Sequence, residues 1–453
     1  MSPERVRYVC QQCGRAAPKP LGRCPQCGAW NSMLAEPVAP RRGAGPGRRP
    51  AVEAVRLGDI EESSDGRIPV PLPEFARVLG GGIVPGSVVL IGGDPGIGKS
   101  TLLLQVALAL ADRRPVLYVS GEESVRQVKG RAQRLGAPGD SQLYLMAETD
   151  VEAVLRQIDT LQPALAVVDS IQTMHDADLE PAAGSISQVR ECAARLQAAA
   201  KRSGVPVFLI GHVTKDGAIA GPKVLEHLVD TVLYLEGDSQ HAFRLLRAVK
   251  NRYGATTEVG VFEMGGEGMT EVANPSEAFL AERVVQAPGS VVAATLEGTR
   301  PLLVEIQGLT SPTAFGNPRR TANGVDFNRL LLITAVLTRR LGLRLSDQDV
   351  FVNVVGGIQI EEPAADLAIA AALASSLRDR AVPADVAVVG EVGLSGEMRG
   401  VPQLGARLRE AAKLGFRRVV APRTQRMEAV PGGIEVVAAR SLREALDALL
   451  TGT

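Results

Sequence analysis

The stretch Gly93-Asp94-Pro95-Gly96-Ile97-Gly98-Lys99-Ser100, with Thr101 behind it, lies between the apolar run SVVLIGG and the helical TLLLQVALALADR. It matches G-x-x-x-x-G-K-[ST] in the strand–loop–helix setting that pattern requires. Glycines let successive backbone N–H groups curl around phosphate oxygens, and the helix start adds the positive end of its dipole. Lys99 is placed to neutralise β- and γ-phosphates, and the Ser100 hydroxyl to join a Mg²⁺ shell. The segment predicts an ATP site. Downstream, LALAVVDS ends an apolar run at Asp169, where the second acidic support for Mg²⁺ belongs. An aspartate at a strand end is common, and it gains weight from the phosphate loop.

Working outward, PVLYVSG, LALAVVDS and PVFLIGH are nearly continuous apolar runs, the pattern of buried parallel strands. Between them, stretches such as SVRQVKGRAQRLG and SISQVRECAARLQAAAKRSG carry helical periodicity and close on glycine. This alternation predicts a doubly wound α/β sheet from about Arg56 to Gly268. VLYVSG runs into Glu122 and Glu123, between the phosphate loop and Asp169. That position suits RecA-like sheets, where a carboxylate after the neighbouring strand activates the attacking water. Glu122 is the first choice and Glu123 the second; the competing reading makes the pair a cap on the next helix. A second α/β region begins near Asn274, and no period of 20–50 residues repeats, which excludes a solenoid.

The chain has 453 residues, enough for two or three domains, and its fifty basic and fifty acidic side chains give zero formal charge. Nucleic-acid contact would therefore need local patches or an assembled channel. With 45% hydrophobic and only 3% aromatic residues, the cores must be aliphatic. No apolar run approaches the ~20 residues of a membrane span, and the first residues lack a secretory pattern. The expectation is a cytoplasmic protein with no membrane partner.

Four of five cysteines fall in two pairs, Cys10-x-x-Cys13 and Cys24-x-x-Cys27. Two residues between thiols let both side chains converge on one ion, and two such knuckles complete a closed tetrahedral Zn²⁺ site. Such a site would be structural, holding a segment too short for its own core. Cys192, in a helical stretch, reads as a small buried residue. AEPVAPRRGAGPGRRPA then reads as a linker over about 35–55. Residues 1–50 carry nine basic and two acidic side chains, either a solvated tail or a contact for nucleic acid or protein.

Together CQQC…CPQCGAWNS, LGGGIVPGSVVLIGGDPGIGKST, YVSGEES, VVDSIQT and Lys250-Asn-Arg252-Tyr-Gly254 resemble the bacterial RadA/Sms family of RecA-like DNA-repair ATPases. The resemblance covers nearly the whole chain and implies four parts. They are a zinc finger over 1–34, a linker over 35–55, a RecA-like P-loop core over 56–270 and a Lon-protease-like α/β domain over 271–453. Tyr253 stands where the family pentapeptide has Phe, and Pro20 where its zinc modules have Trp. The resemblance implies that Lys250 and Arg252 reach a neighbouring protomer's ATP, as arginine fingers do. It also makes His212 the γ-phosphate sensor and Lys215 and Lys223 contacts for single-stranded DNA. The implied activity is DNA-dependent ATP hydrolysis in recombinational repair, driving branch migration alongside RecA recombinase on branched DNA. The implied assembly is a hexameric ring.

GIQIEEPAADLAIAAALASSL resembles the stretch around the Lon nucleophile, but Ala364 stands where the serine belongs, and no lysine stands near Gly405. Alanine has no nucleophilic atom, so an ATP-dependent serine protease is the disfavoured alternative. A RecA-like clock or signalling phosphoprotein is the other. In the family the Lon-like domain supports ring assembly and duplex binding, which points to Arg319 and Arg320 in the loop after Gly316 as phosphate contacts.

Overall fold

The computed structural model describes residues 6–10, 15–26, 28–37, 56, 66–179, 181, 183–211, 225–237, 242–314, 317–423 and 432–450. Among them no helix is long and apolar enough to cross a membrane. The chain divides into two compact units. The first holds Met1–Glu236, Arg244–Thr256 and Phe262–Glu271, and the second holds Gly237–Phe243, Thr257–Val261 and Val272–Thr453.

The N-terminal ribbon is built of β1 (Val6–Cys10), β2 (Ala16–Ala17) and β3 (Met33–Pro37), with β1 pairing antiparallel to both others. After helix α1 (Pro73–Leu79) comes a sheet of nine strands. Its parallel body is β4 (Val88–Gly92), β5 (Val116–Ser120), β6 (Leu143–Ala147), β7 (Leu165–Asp169), β8 (Val207–Ile210) and β9 (Thr231–Glu236). β10 (Phe243–Asn251), β11 (Val259–Gly265) and β12 (Gly268–Glu271) extend it in the order β12-β11-β10-β9-β4-β8-β7-β5-β6. The crossovers are α2 (Lys99–Ala111), α3 (Val125–Arg134), α4 (Val151–Leu161) and α5 (Ile186–Ser203).

The continuous apolar strands have a simple cause. In β4, Val89 and Ile91 join a core with α1, α2 and α3, while Val88 and Leu90 join another with α4 and α5. Helices on both faces leave no side of the sheet for polar residues. Because β4, β5, β7 and β8 run parallel, the residues that follow them share one edge.

The second unit is also α/β. Its strands are β13 (Ser290–Glu297), β14 (Arg300–Pro312), β15 (Arg320–Asn323), β16 (Gln348–Val354), β17 (Val386–Val388), β20 (Arg418–Pro422) and β21 (Glu435–Ala439). They lie in the order β15-β16-β14-β13-β17-β20-β21, and β18 (Glu391–Val392) with β19 (Met398–Arg399) forms a separate hairpin. Its helices are α6 (Pro275–Leu280), α7 (Phe327–Leu341), α8 (Asp366–Arg378), α9 (Leu404–Lys413) and α10 (Leu442–Leu450). The Ala-rich α8 is buried from Asp366 through Ser375, its small side chains permitting close approach to β13 and β14.

Candidate nucleotide site and its neighbours

The phosphate loop turns from β4 into α2 with Gly98 as N-cap at φ +110°, and no side chain caps the helix. The first N–H groups of α2 therefore stay available to an anion. The left-handed φ of Gly98 favours glycine, and a Cβ there would also push aside the methyl ends of Met264 and Met269. Behind the loop, Arg244 is buried and its Nε donates to Ile97 O at 3.3 Å. The Gln105 amide grips Met269 twice, donating to its carbonyl and accepting from its N–H at 2.9 Å each.

Lys99 is only 3% exposed, and its Nζ donates to Gly93 O at 2.7 Å and Asp94 O at 2.9 Å. Burial lowers its pKa, while Asp169, Asp94 and Glu122 pull the other way. The ammonium rests on the loop's own carbonyls, beside the place a phosphate would take. Ser100 and Thr101 are half-buried, and Asp94, Pro95 and Gly96 are exposed.

Asp169 ends β7, and its Oδ2 accepts from the Tyr118 hydroxyl at 2.7 Å. Burial first, and then Asp169, hold that phenol protonated well above its ordinary range. The next residue, Ser170, donates to Glu122 Oε1 at 2.7 Å. Glu123 instead pairs with Arg131 on α3. The two glutamates thus part company. Glu122 stays on the Asp169 side, and Glu123 is turned along the helix. Neither caps it: Ser124 is the N-cap and forms a capping box with Gln127. The approach of the two strand ends needs Gly121, where a Cβ would overlap Thr173. Gly121 N–H also bonds Asp169 O at 2.7 Å.

Tyr118, Ser170, Gly121, Gln105 and Arg244 were not singled out by sequence reasoning. The one visible signal was a tyrosine inside the otherwise aliphatic VLYVS strand. His212, Lys215 and Lys223 lie outside the described residues.

The pentapeptide sits at the other end of β4. Asp230 accepts from Val88 N–H at 3.0 Å through Oδ2 and from Arg252 Nη1 at 3.1 Å through Oδ1. Lys250 Nζ donates to the carbonyls of Glu226 and Val229, the latter at 2.8 Å. Burial lowers its pKa, and nearby Arg252 lowers it further. Val88 starts β4 and the phosphate loop follows its end, a separation of roughly 13 Å at ~3.3 Å per residue. Neither cation faces the phosphate loop of its own chain. The Arg252 side chain is half exposed, whereas the Lys250 ammonium is spent on carbonyls.

In the ribbon, Cys10 and Cys24 are buried, and Cys13 and Cys27 lie outside the described residues. Cys10 N–H donates to Arg15 O at 2.9 Å, and Cys24 N–H to Ala29 O at 2.8 Å. Two backbone bonds of the same sequence span, each starting on a buried cysteine, fit a four-cysteine Zn²⁺ site.

In the second unit, Ala364 is buried in a 3-10 turn (Pro363–Ala365) and no hydroxyl stands there. Ser375 is engaged with Gly289 N–H and Arg380 O, and Ser376 accepts from Thr310 N–H at 3.0 Å. Gly405 lies on α9. Two residues on, the fully buried Arg407 binds Ala294 O at 2.7 Å and Pro402 O at 3.1 Å, and forms a two-pronged ion pair with Glu362. Arg319 is exposed, and its N–H donates to Asp349 Oδ1 at 2.7 Å. The Arg320 guanidinium turns inward onto the carbonyls of Arg319, Leu345 and Gln348.

Three family models match the chain. An AAA domain covers 53–218, a rubredoxin metal binding domain 8–34, and a Lon protease (S16) C-terminal proteolytic domain 341–452. The chain is 52% identical over 463 residues to the DNA repair protein RadA of Bacillus subtilis (strain 168), covering 100% of both chains. It is 51% identical over 445 residues to the DNA repair protein RadA of Listeria monocytogenes, covering 97% of each. A KaiC-like protein from Pyrococcus horikoshii aligns with 46% of this chain and 99% of its own at 20% identity and a TM-score of 0.38. The strand order above, rather than that loose likeness, carries the fold.

Proposed function

The chain belongs to the family of the bacterial DNA repair protein RadA, and from that premise we propose that it is a DNA-dependent ATP hydrolase driving branch migration with RecA. The observation that carries the reading is the shared sheet edge. There Lys99, Asp169 and Glu122 meet, the last two joined through Ser170.

ATP phosphates would replace the Gly93 and Asp94 carbonyls as the partners of Lys99. Ser100 and Asp169 are the residues suited to hold Mg²⁺, which would screen phosphate charge. The Tyr118 hydroxyl fixes the Asp169 carboxylate. Glu122 is the base that orients the attacking water, with Ser170 setting its direction. Arg252, half exposed and distant from its own loop, would serve the nucleotide of the next protomer in a hexameric ring. Lys250 would support the pentapeptide from inside. His212 would sense the γ-phosphate, and Lys215 and Lys223 would hold the single strand. Arg319 would meet duplex or branched DNA beside Arg320, whose inward bonds favour a supporting part. Cys10, Cys13, Cys24 and Cys27 would hold Zn²⁺ and cross-link the ribbon.

The test is ATP turnover with no DNA, single-stranded DNA and duplex DNA, together with a branch-migration assay, each with a Lys99→Ala control. Stimulation by single strands is expected, with the control below about one hundredth of wild type. Equal branch migration by the control would sink the motor reading.

A further inference from the structure

The single tryptophan of the chain, Trp30, is 71% exposed. Burial usually rewards so large an apolar surface, so an ordered and solvent-facing indole calls for a reason. Here the ring is held in place. Trp30 pairs with Arg23 in an isolated antiparallel bridge that closes the second cysteine turn, and Asn31 N–H bonds Gly22 O at 2.8 Å. The Arg23 guanidinium lies over the indole, 5.7 Å from the ring centroid, and its Nε donates to Gly28 O at 2.9 Å. The turn around Cys24 therefore fixes a cation against an aromatic plane.

The surroundings are cationic. Arg15 and Lys19 are exposed on the same ribbon, and residues 1–50 carry nine basic against two acidic side chains. An exposed ring braced by a guanidinium in a basic segment matches the two needs of single-stranded polynucleotide: a plane for the base and charge for the phosphate. A protein partner would draw on the apolar surface but would leave the charge excess unused.

We propose that Trp30 is a stacking platform for one unpaired base, with Arg23 bracing the ring and meeting the adjoining phosphate. The ribbon then becomes a single-strand contact separate from the ATPase core. The proposal rests on DNA being the polymer the protein acts on, and one probe separates the two ideas. Trp30 is the sole indole, so the emission of the full-length zinc-loaded chain, excited at the red edge where tyrosine does not absorb, reports this site alone. It is titrated without nucleotide against oligothymidylate, and against an abasic oligonucleotide of equal length. Overall binding is followed separately by anisotropy of end-labelled oligonucleotide.

Emission should fall to about half with oligothymidylate and change little with the abasic chain, as expected for base–indole stacking. Trp30→Leu should weaken oligothymidylate binding about fivefold, and Trp30→Phe should recover most of it. Three results overturn the proposal. One is oligonucleotide binding by anisotropy with unchanged emission, which leaves the DNA reading intact. Another is equal quenching by the abasic chain. The third is emission that responds to added RecA but not to oligonucleotide. Absence of any DNA binding by anisotropy removes both ideas together.

Discussion

The two α/β units place their polar groups differently along the edges that correspond to sites. On the ATPase edge, the polar groups face one another across strand ends: Ser170 on Glu122, Tyr118 on Asp169, and Lys99 beside the loop carbonyls. In the Lon-like unit, the stretch that elsewhere bears the nucleophile holds Ala364, and the two neighbouring stretches are tied by Glu362 and Arg407. On the first edge the buried Lys99 and Asp169 stand beside the exposed Glu122 and the exposed Asp94–Gly96 turn, so the site opens to solvent there. The second spends its charges on internal satisfaction.

The comparison breaks most readily on the ATPase side. Glu122→Gln should lower kcat for ATP by about 10³-fold with little change in KM, as befits a residue acting on water. Glu123→Gln should cost only about twofold, because its carboxylate serves Arg131. Steady-state hydrolysis of both variants decides it, and the reverse ranking would exchange their assignments.

On the other side, Arg407→Ala strands Glu362 and removes a guanidinium with no exposed surface. It should destabilise the Lon-like unit by about 3 kcal/mol, read by denaturant unfolding of the full chain. The joint change Glu362→Leu with Arg407→Met should return much of that stability. If Arg407→Ala unfolds like wild type, the ion pair is not what holds the segments.

The smallest expected effect is none at all. Ala364→Ser restores a hydroxyl without a lysine to activate it, so casein should stay uncut. Measurable cleavage would revive the protease reading.

Much of the ATPase edge was legible because it is written in contiguous residues. The phosphate loop is a local motif, and Asp169 and the Glu122–Glu123 pair announce themselves by ending apolar runs. What escaped depends on which strands become neighbours. Ser170 and Glu122 are 48 residues apart in sequence, and Tyr118 and Asp169 are 51 apart. They meet because β5 lies beside β7, a pairing no local pattern states. The separation of Glu122 from Glu123 likewise needed Arg131, one helix on. In the Lon-like unit, the missing serine was visible, but Arg407 looked like any surface cation on a helix. Its burial follows from three acceptors brought from β13, Glu362 and Pro402.

Strand β4 is hydrogen-bonded on both sides, to β8 and β9, so it cannot slip without breaking two ladders. One end delivers the anhydride cradle, and the other is clasped by Asp230, which also holds Arg252. The strand therefore behaves as a short rigid strut. The cradle at one rim and the Arg252 clasp at the other are thus placed by the same five residues.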